Sequence, residues 1–161
     1  MTHEIERKFT VKWPLDTILA HSPPVRRAQI SQAYFSDSGD WTVRIRQKVC
    51  EGEATHYLTM KKRVNNIRCI EMETKITPEF YESMVLQCGP ALTKVRYEIP
   101  AEDGHLWEVD AFDQPELDGL VLAEIELSDE DTTFQMPEWA DTDVSDKKRY
   151  KNARLVKRLS A

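Results

Sequence analysis

The sequence predicts a mostly β (α+β) fold, a closed antiparallel eight-stranded tunnel barrel with a few peripheral helices and a C-terminal helix. Short stretches of β-branched, aromatic and alternating residues recur along the chain, and turn-forming residues separate them. Charged residues also repeat two positions apart on strand after strand, and side chains at that spacing share one face of a strand. If the strands close into a barrel, these charges surround one interior.

Eight segments carry the strand pattern, each bounded by polar or turn-forming residues. In chain order they are Ile5–Lys12, Ala28–Ser36, Trp41–Val49, His56–Arg63, Ile67–Ile76, Ala91–Ile99, Leu106–Phe112 and Val121–Leu127. The turns between them favour antiparallel hairpins over parallel crossovers. These turns are Asp37–Asp40, Glu51–Glu53, Asn65–Asn66 and Asp103–Gly104.

Three helices are predicted outside the strands. A short helix lies near Pro14–Ala20. A second runs over Pro78–Gln87, where Thr77 can cap its first turn and proline suits its first position. The third spans Ser145–Leu159, with the serine as cap and apolar residues at helical spacing beside many Lys and Arg. We expect this C-terminal helix to pack on the barrel or to close one of its mouths, with its basic residues forming a solvated face.

Length and composition limit the classes of protein that this chain can represent. The 161 residues favour one domain over residues 1–161, with Asp129–Asp143 as a polar connection. A net charge of -6 argues against a nucleic-acid partner. The charges among the first residues lead us to expect no signal peptide, and no apolar run approaches the length of a membrane span. Cys50, Cys69 and Cys88 lie far apart without metal-site spacing, which favours reduced thiols and a cytoplasmic location.

The charged residues on the shared strand faces carry most of the functional information. A solvated face usually mixes both signs, whereas here most strands present a pair of one sign. The set consists of Glu4, Glu6, Lys8, Arg44, Arg46, Lys61, Glu71, Glu73, Lys94, Arg96, Glu108, Asp110, Glu124 and Glu126. Six cations and eight carboxylates nearly neutralise one another, which can offset the cost of burying them in a wet tunnel.

The chemistry of these side chains indicates which ligands the tunnel would accept. Clustered carboxylates without His or Cys select hard cations such as Mg²⁺ or Mn²⁺. Arginine pairs match phosphate oxygens, and lysines add point charges. A polyphosphate bound together with a divalent metal therefore fits both signs of charge.

Glu4, Glu6 and Lys8 form an ExExK motif that resembles the signature of the CYTH superfamily, the triphosphate tunnel metalloenzymes. Further matches follow in the order that this family uses: Gln32, Tyr34, Arg44, Arg46, Met60, Lys61, Glu71, Glu73, Lys94, Arg96, Tyr97, Glu108, Asp110, Glu124 and Glu126. The segments His3–Phe9 and Val144–Asn152 resemble the short bacterial branch that hydrolyses inorganic triphosphate. Relatives often carry Arg two residues before Glu71, where this chain has Cys69.

We therefore expect metal-dependent hydrolysis of inorganic triphosphate to diphosphate and phosphate. The expected ligands of Mg²⁺ or Mn²⁺ are Glu4, Glu6, Glu108, Glu124 and Glu126. The expected substrate ligands are Lys8, Tyr34, Arg44, Arg46, Lys61, Lys94 and Arg96. The residues expected to contribute to catalysis are Lys8, Arg44, Arg46, Glu71, Glu73 and Asp110, of which one acid would accept the proton of the attacking water.

Two other functions stay open from the sequence. The same tunnel can serve an adenylyl cyclase or a nucleoside or thiamine triphosphatase, and it can also serve a non-catalytic module that binds polyphosphate. The expected partner is a small-molecule triphosphate, with neither nucleic acid nor membrane. Exposed apolar strand faces favour a homodimer.

Overall fold

The computed structural model describes residues 2–35 and 40–159. Over these residues the strands are β1 Thr2–Val11, β2 Arg26–Tyr34, β3 Trp41–Cys50, β4 Glu53–Arg63, β5 Arg68–Ile76, β6 Leu92–Pro100, β7 Leu106–Phe112, β8 Val121–Leu127 and β9 Ala140–Asp143. The helices are α1 Leu15–His21, α2 Pro78–Val85 and α3 Asn152–Leu155, with 3₁₀ turns at Pro115–Leu117, Lys148–Tyr150 and Val156–Arg158. None of the helices in these ranges is long and apolar enough to cross a lipid bilayer.

The first eight strands close into an antiparallel barrel, as the sequence predicts. Their order around the barrel is β1-β5-β4-β3-β2-β6-β7-β8, and β8 returns to β1. On one side of β1, Thr2 pairs with Glu71 of β5, and on the other side Glu6 pairs with Glu126 of β8. The predicted bounds of β7 and β8 agree with the structure, and those of the other strands differ by a few residues. Ser36 and the predicted turn at 37–39 lie outside the described residues.

A ninth strand corrects the sequence interpretation of residues 129–143 as a polar connection. β9 pairs with β1 through Phe9↔Asp143 and Val11↔Ala140, beyond the point where β5 leaves β1. Arg7 on β1 also forms an ion pair with Asp143. One alanine and three polar residues carry little intrinsic strand preference, so the exposed edge of β1 supplies the hydrogen bonds that make this segment extended.

The apolar strand faces point outward and are covered by the peripheral segments. Ile5, Trp107 and Ile125 belong to a cluster that includes Ile18 of α1 and Trp139 before β9. Ala33 and Ile45 form a second outer cluster with Tyr81 of α2. The oxygen of Thr77 accepts a hydrogen bond from the Phe80 amide at 3.1 Å, which confirms the predicted cap of α2. With the apolar faces outside, the alternating charged faces point into the barrel.

The C-terminal segment corrects the prediction of one helix over Ser145–Leu159. The structure has a 3₁₀ turn, the four-residue α3 and a second 3₁₀ turn instead. Ser145 does not cap a helix, because its buried hydroxyl accepts from the Lys8 amide at 2.9 Å and donates to Asp143 at 2.6 Å. This anchoring ties the segment to β1 and β9 before it crosses the end of the barrel.

One mouth of the barrel is covered by this segment. Leu92, Phe112 and Leu122 lie on the interior face of β6, β7 and β8, because their register partners are tunnel residues. Leu155 of α3 packs against these three side chains and is fully buried. We call this end the covered mouth. The expectation that the C-terminal segment packs on the barrel or closes one mouth therefore holds.

Candidate active site

Register brings the predicted charged residues of separate strands opposite one another inside the barrel. Glu124 lies between Lys8 of β1 and Glu108 of β7, and Arg96 of β6 faces Asp110 of β7. The other predicted residues lie on the same interior face of the closed sheet. They are Glu4, Glu6, Tyr34, Arg44, Arg46, Lys61, Glu71, Glu73, Lys94 and Glu126. The barrel therefore holds both signs of charge in one interior.

Asp110 is the centre of a buried ion network. Lys94 Nζ donates to this carboxylate at 2.6 Å, and Arg96 donates to both of its oxygens at 2.7 and 2.8 Å. Burial alone would raise the pKa of Asp110, but Arg96 and Lys94 outweigh it and lower that pKa. Burial, opposed by Asp110 but reinforced by Arg96, lowers the pKa of Lys94 to about 8. This part of the wall is neutralised within the protein.

Glu6 and Glu124 carry opposite pKa shifts although both are carboxyls. Burial, with repulsion from Glu124, raises the pKa of Glu6 to about 8. Burial would also raise the pKa of Glu124, but Lys8 at 3.1 Å and Arg96 at 3.5 Å hold it well below its usual range. Without another cation, Glu6 therefore keeps its proton beside an ionised Glu124.

Lys61 lies between acids from two neighbouring strands. Its ammonium group bonds to Glu4 and lies 3.0 Å from Glu71. Burial and the neighbouring Arg44 would lower the pKa of Lys61. Glu6, Glu4 and Glu71 outweigh both effects, and the pKa is raised. Glu73 accepts a hydrogen bond from the buried Thr59 at 2.8 Å. Lys61 is thus held charged between β1 and β5, with two carboxylates around it.

Within the described residues, Arg44 and Arg46 form no ion pair with a carboxylate. Burial would lower the pKa of Arg44, but Tyr34, Glu4 and Glu71 outweigh it and raise that pKa. Arg46 donates only to an uncharged acceptor, the side-chain oxygen of Gln32, at 2.9 and 3.1 Å. Burial and the neighbouring Arg44 and Arg96 lower the pKa of Arg46 to about 10. Arg44 is 7% exposed, and its buried Nε has no hydrogen-bond partner. A buried guanidinium with an unused donor is prepared to bind an anion.

A cavity of about 280 Å³ lies between Arg44 and the C-terminal segment at the covered mouth. Its wall includes predicted residues on four strands: Glu4, Glu6, Lys8, Tyr34, Arg44 and Lys61. It also includes four cations that were not predicted as site residues: Arg63, Lys148, Lys151 and Arg154. The last three were interpreted as a solvated helix face, and their place in the cavity depends on the segment that crosses the mouth.

Cys69 lines the cavity at the position where relatives often carry Arg. It is the register partner of Glu4, so its side chain shares the interior face. Arg68, one position earlier, instead bonds to Glu130 at 2.6 Å. Burial raises the pKa of the Cys69 thiol, so it adds no charge to the wall. This position therefore contributes no cation to the site.

The acidic side of the tunnel offers carboxylate oxygens as ligands for a divalent cation. Within residues 2–35 and 40–159, no three acidic, His or Cys side chains are grouped closely enough to enclose an ion. Burial and repulsion from Glu4, Glu108 and Glu71 nevertheless raise the pKa of Glu126, whereas the pKa of Glu6 is raised by burial and by repulsion from Glu124 and Glu4. The raised pKa values mean that the cations of the wall do not fully stabilise the ionised form of these two carboxyls, which a bound divalent cation would favour. Such a donor set fits Mg²⁺ or Mn²⁺.

Comparison with known proteins supplies two relatives and a solved structure. The chain is 38% identical to an inorganic triphosphatase from Acetivibrio thermocellus over 98% of this chain and 95% of that protein. It is 33% identical to an inorganic triphosphatase from Nitrosomonas europaea, over 95% and 96% of the two chains. The crystal structure of an inorganic triphosphatase superposes with a TM-score of 0.65 at 29% identity, covering 97% and 95%. No family model matches the sequence.

Proposed function

Since the chain belongs to the CYTH superfamily of triphosphate tunnel metalloenzymes, among its short inorganic triphosphatases, we propose that it hydrolyses inorganic triphosphate to diphosphate and phosphate. The observation that carries this proposal is the buried guanidinium of Arg44, whose Nε has no hydrogen-bond partner among the described residues, in a cavity that also contains carboxylates. The cavity volume of about 280 Å³ suits a short chain of phosphates.

Substrate binding is assigned first to the cations that lack a full internal partner. Arg44 and Arg46 would bind phosphate oxygens through paired N–H groups. Lys8 and Lys61 form ion pairs with glutamates of the tunnel wall. Each ammonium group has three N–H donors, so part of its hydrogen bonding is available to the substrate. Tyr34 accepts from Gln32 at 2.7 Å and lines the cavity, where its hydroxyl can donate to a phosphate. These fixed donors would stabilise the charge that grows on the departing diphosphate.

We assign Lys94 and Arg96 to binding the phosphate at one end of the bound triphosphate. Both are held by Asp110, and Arg96 also bonds to Glu108. Because these bonds fix the two cations in place, they need no reorganisation as charge develops on the substrate. We assign Asp110 to this positioning role, since its lowered pKa makes it a poor proton acceptor. Glu71 and Glu73 are then the acids that can accept the proton of the attacking water.

A divalent cation would be held by the carboxylates that are left without full compensation. We propose that these ligands come from Glu4, Glu6, Glu108, Glu124 and Glu126, and that the ion is Mg²⁺ or Mn²⁺. When bound, such an ion supplies charge neutralisation of phosphate oxygens and a more acidic water. Its positive charge would also release the proton that burial keeps on Glu6.

The decisive experiment compares the wild type with Glu6→Gln on tripolyphosphate, with Mg²⁺ or Mn²⁺ at fixed free concentration. We expect Glu6→Gln to lower phosphate release by about 100-fold, because it replaces a charged ligand with a neutral one of the same shape. The matched control is Glu138→Gln, which removes an exposed carboxylate far from the cavity. Circular dichroism checks that each variant is folded. Wild-type turnover by Glu6→Gln would overturn the metal-ligand assignment.

A substrate panel separates this function from its alternatives. Phosphate release from tripolyphosphate should exceed release from ATP and from thiamine triphosphate under the same metal conditions. Preferential turnover of ATP, or formation of a cyclic nucleotide, would favour the nucleotide-processing alternatives. Tight binding of tripolyphosphate without phosphate release under any metal condition would favour the non-catalytic module.

A further inference from the structure

The turn between β4 and β5, residues 64–67, forms part of the cavity wall. Asn66 and Ile67 line the cavity, and so does Cys69 near the start of β5. The turn also bonds to β1, because the carbonyl oxygen of Ile67 accepts a hydrogen bond from the Glu6 amide at 2.8 Å. A movement of this turn therefore shifts both the cavity wall and the backbone of a glutamate inside the tunnel.

The Glu6 amide lies in a gap between two strands that follow one another along the same edge of β1. Pairing with β5 ends at Ile5↔Arg68, and pairing with β9 begins at Phe9↔Asp143. Neither strand pairs with Glu6, so the turn supplies the hydrogen-bond partner of its amide. The position of this carboxyl inside the tunnel therefore depends on the turn.

One carboxylate outside the barrel ties the turn in place. Within the turn, the side-chain oxygen of Asn65 accepts from the amides of Ile67 and Arg68 at 3.0 and 2.9 Å. The side-chain nitrogen of Asn65 donates to one oxygen of Glu130 at 2.9 Å, and Arg68 Nε donates to the same oxygen at 2.6 Å. Hydrogen bonds from Asn65 and Arg68 lower the pKa of Glu130, so this carboxylate is charged at neutral pH.

The segment that carries Glu130 is fixed by its own hydrogen bonds. The Asp129 amide donates to Thr132 Oγ1 at 3.1 Å, and the Thr132 amide donates to the Asp129 carbonyl at 3.2 Å. The amide of Asp131 donates to Asp129 Oδ1 at 2.9 Å, whereas the exposed carboxylate of Asp131 has no partner within the described ranges. Of these two neighbouring acids, Glu130 therefore holds the β4–β5 turn and Asp131 does not.

We propose that Glu130 is a positioning residue, which holds the β4–β5 turn in the conformation that places Glu6 and Asn66 for binding triphosphate. This inference rests on the proposed function, and it adds a residue outside the tunnel to the groups on which that site depends. Glu130 does not contact the substrate and acts through Asn65 and Arg68.

This positioning role predicts a specific kinetic signature. Without the carboxylate of Glu130, the turn samples conformations in which the cavity wall is displaced, and only the molecules with the turn in place bind substrate. The apparent affinity then falls in proportion to that fraction, whereas a bound substrate keeps the turn in place. Loss of Glu130 should therefore raise KM and leave kcat nearly unchanged.

The experiment compares the wild type with Glu130→Ala on tripolyphosphate at constant free Mg²⁺. We expect KM to rise about tenfold, as the loss of one hydrogen bond to a charged group would produce, and kcat to change less than twofold. Glu130→Gln keeps an acceptor oxygen of the same reach and should recover most of the wild-type KM. The matched control is Asp131→Ala, which removes the same charge from the same segment and should keep the wild-type KM and kcat.

A double variant tests whether Glu130 acts through Arg68. Arg68→Ala removes one of the two donors and should raise KM by a smaller factor than Glu130→Ala. The Glu130→Ala/Arg68→Ala variant should have the same KM as Glu130→Ala, because the bond between the two residues is already lost. Arg68→Ala also covers the case that Glu130→Ala fails to fold.

Amide hydrogen exchange, measured without substrate or metal, locates the effect in the structure. Glu130→Ala should speed the exchange of the Glu6 amide by about tenfold, because its acceptor lies on the turn. The Lys8 amide is the internal control, since it lies on the same edge of β1 but donates to Ser145. Its exchange rate should stay at the wild-type value.

The outcomes separate this inference from the proposed function. An unchanged KM in Glu130→Ala, an equal rise in Asp131→Ala, or KM effects that multiply in the double variant would overturn the positioning role even if tripolyphosphate is hydrolysed. Equal acceleration at Glu6 and Lys8 would also overturn it, because it indicates a general loss of stability. If the wild type does not hydrolyse tripolyphosphate, the proposed function fails, while hydrogen exchange and calorimetric titration with tripolyphosphate still test Glu130.

Discussion

Arg96 on β6 and Asp110 on β7 are direct register partners, and the guanidinium donates to both oxygens of the carboxylate at 2.7 and 2.8 Å. Asp110 is fully buried, and Lys94 bonds to it from the same strand as Arg96. Two cations on one strand are thus held by one acid on the next. Asp110 therefore holds both cations in fixed positions in the tunnel wall and supplies negative charge to each of them.

Asp110→Asn should lower the free energy of unfolding by about 3–5 kcal/mol, because it removes the carboxylate that Lys94 bonds to and one of the three carboxylates around Arg96. Urea unfolding followed by circular dichroism measures this loss. The matched control is Glu130→Gln, which weakens the partly exposed pair with Arg68 and should cost much less than Asp110→Asn. Equal losses in the two variants would contradict the central role of Asp110.

Arg44→Gln should separate stability from activity. The charge of Arg44 repels Arg46 and its buried Nε has no partner, whereas Tyr34, Glu4 and Glu71 favour that charge. Because these effects oppose one another, removing the charge should change the free energy of unfolding of the unliganded protein by no more than about 1 kcal/mol. We expect kcat/KM for tripolyphosphate to fall by about 100- to 1000-fold, as for a lost anion-binding donor. Unfolding and initial-rate measurements on one preparation test both parts. A strongly destabilised variant would show that Arg44 has a structural partner.

The lowered pKa of Lys94 predicts an alkaline limit to catalysis. With a pKa of about 8 in the folded protein, this lysine loses its charge above that pH, so kcat/KM should fall on the alkaline side. Lys94→Arg keeps the positive charge, so the fall in kcat/KM should move to higher pH. If kcat/KM falls at the same pH in both proteins, the titration of another group is the cause.

The lowered pKa of Lys94 also makes the stability of the protein depend on pH. The folded pKa of Lys94 lies below its ordinary value of 10.5, so the folded protein binds fewer protons than the unfolded chain between about pH 8 and 10.5. The contribution of this residue to the free energy of unfolding therefore increases as the pH rises through that range. Urea unfolding of the wild type and Lys94→Met over this range measures the difference. A contribution that decreases with pH would contradict the direction of the shift.

Leu155→Ala should test the packing of the covered mouth. Leu155 is fully buried against Leu92, Phe112 and Leu122, so its truncation should cost about 2–5 kcal/mol in the free energy of unfolding. Leu159→Ala, at the partly buried edge of the same cluster, should cost less. Thermal or urea unfolding ranks the two variants. A cost below about 1 kcal/mol for Leu155→Ala would indicate that the segment is not firmly docked.

The strands were predictable because their pattern is local. Alternation at two-residue spacing follows from the pleat, so Glu4, Glu6 and Lys8 share a face whatever the rest of the chain does. β7 and β8 have the predicted bounds, and Thr77 caps α2 as expected. β9 and the broken C-terminal segment could not be predicted in the same way. Their form depends on the free edge of β1 and on the mouth of the barrel, which lie far away in the sequence.

By itself, the sequence determined which residue types face the interior and in what order, because side-chain direction along a strand is set by backbone geometry. Only the tertiary structure decided which of those charges are satisfied by one another. Glu6 and Glu124 meet through the pairing of β1 with β8, and Arg96 meets Asp110 across β6 and β7, whereas Arg44 is left with an unpaired Nε. Ionic energies depend on distance and burial, and strand register and barrel closure set both.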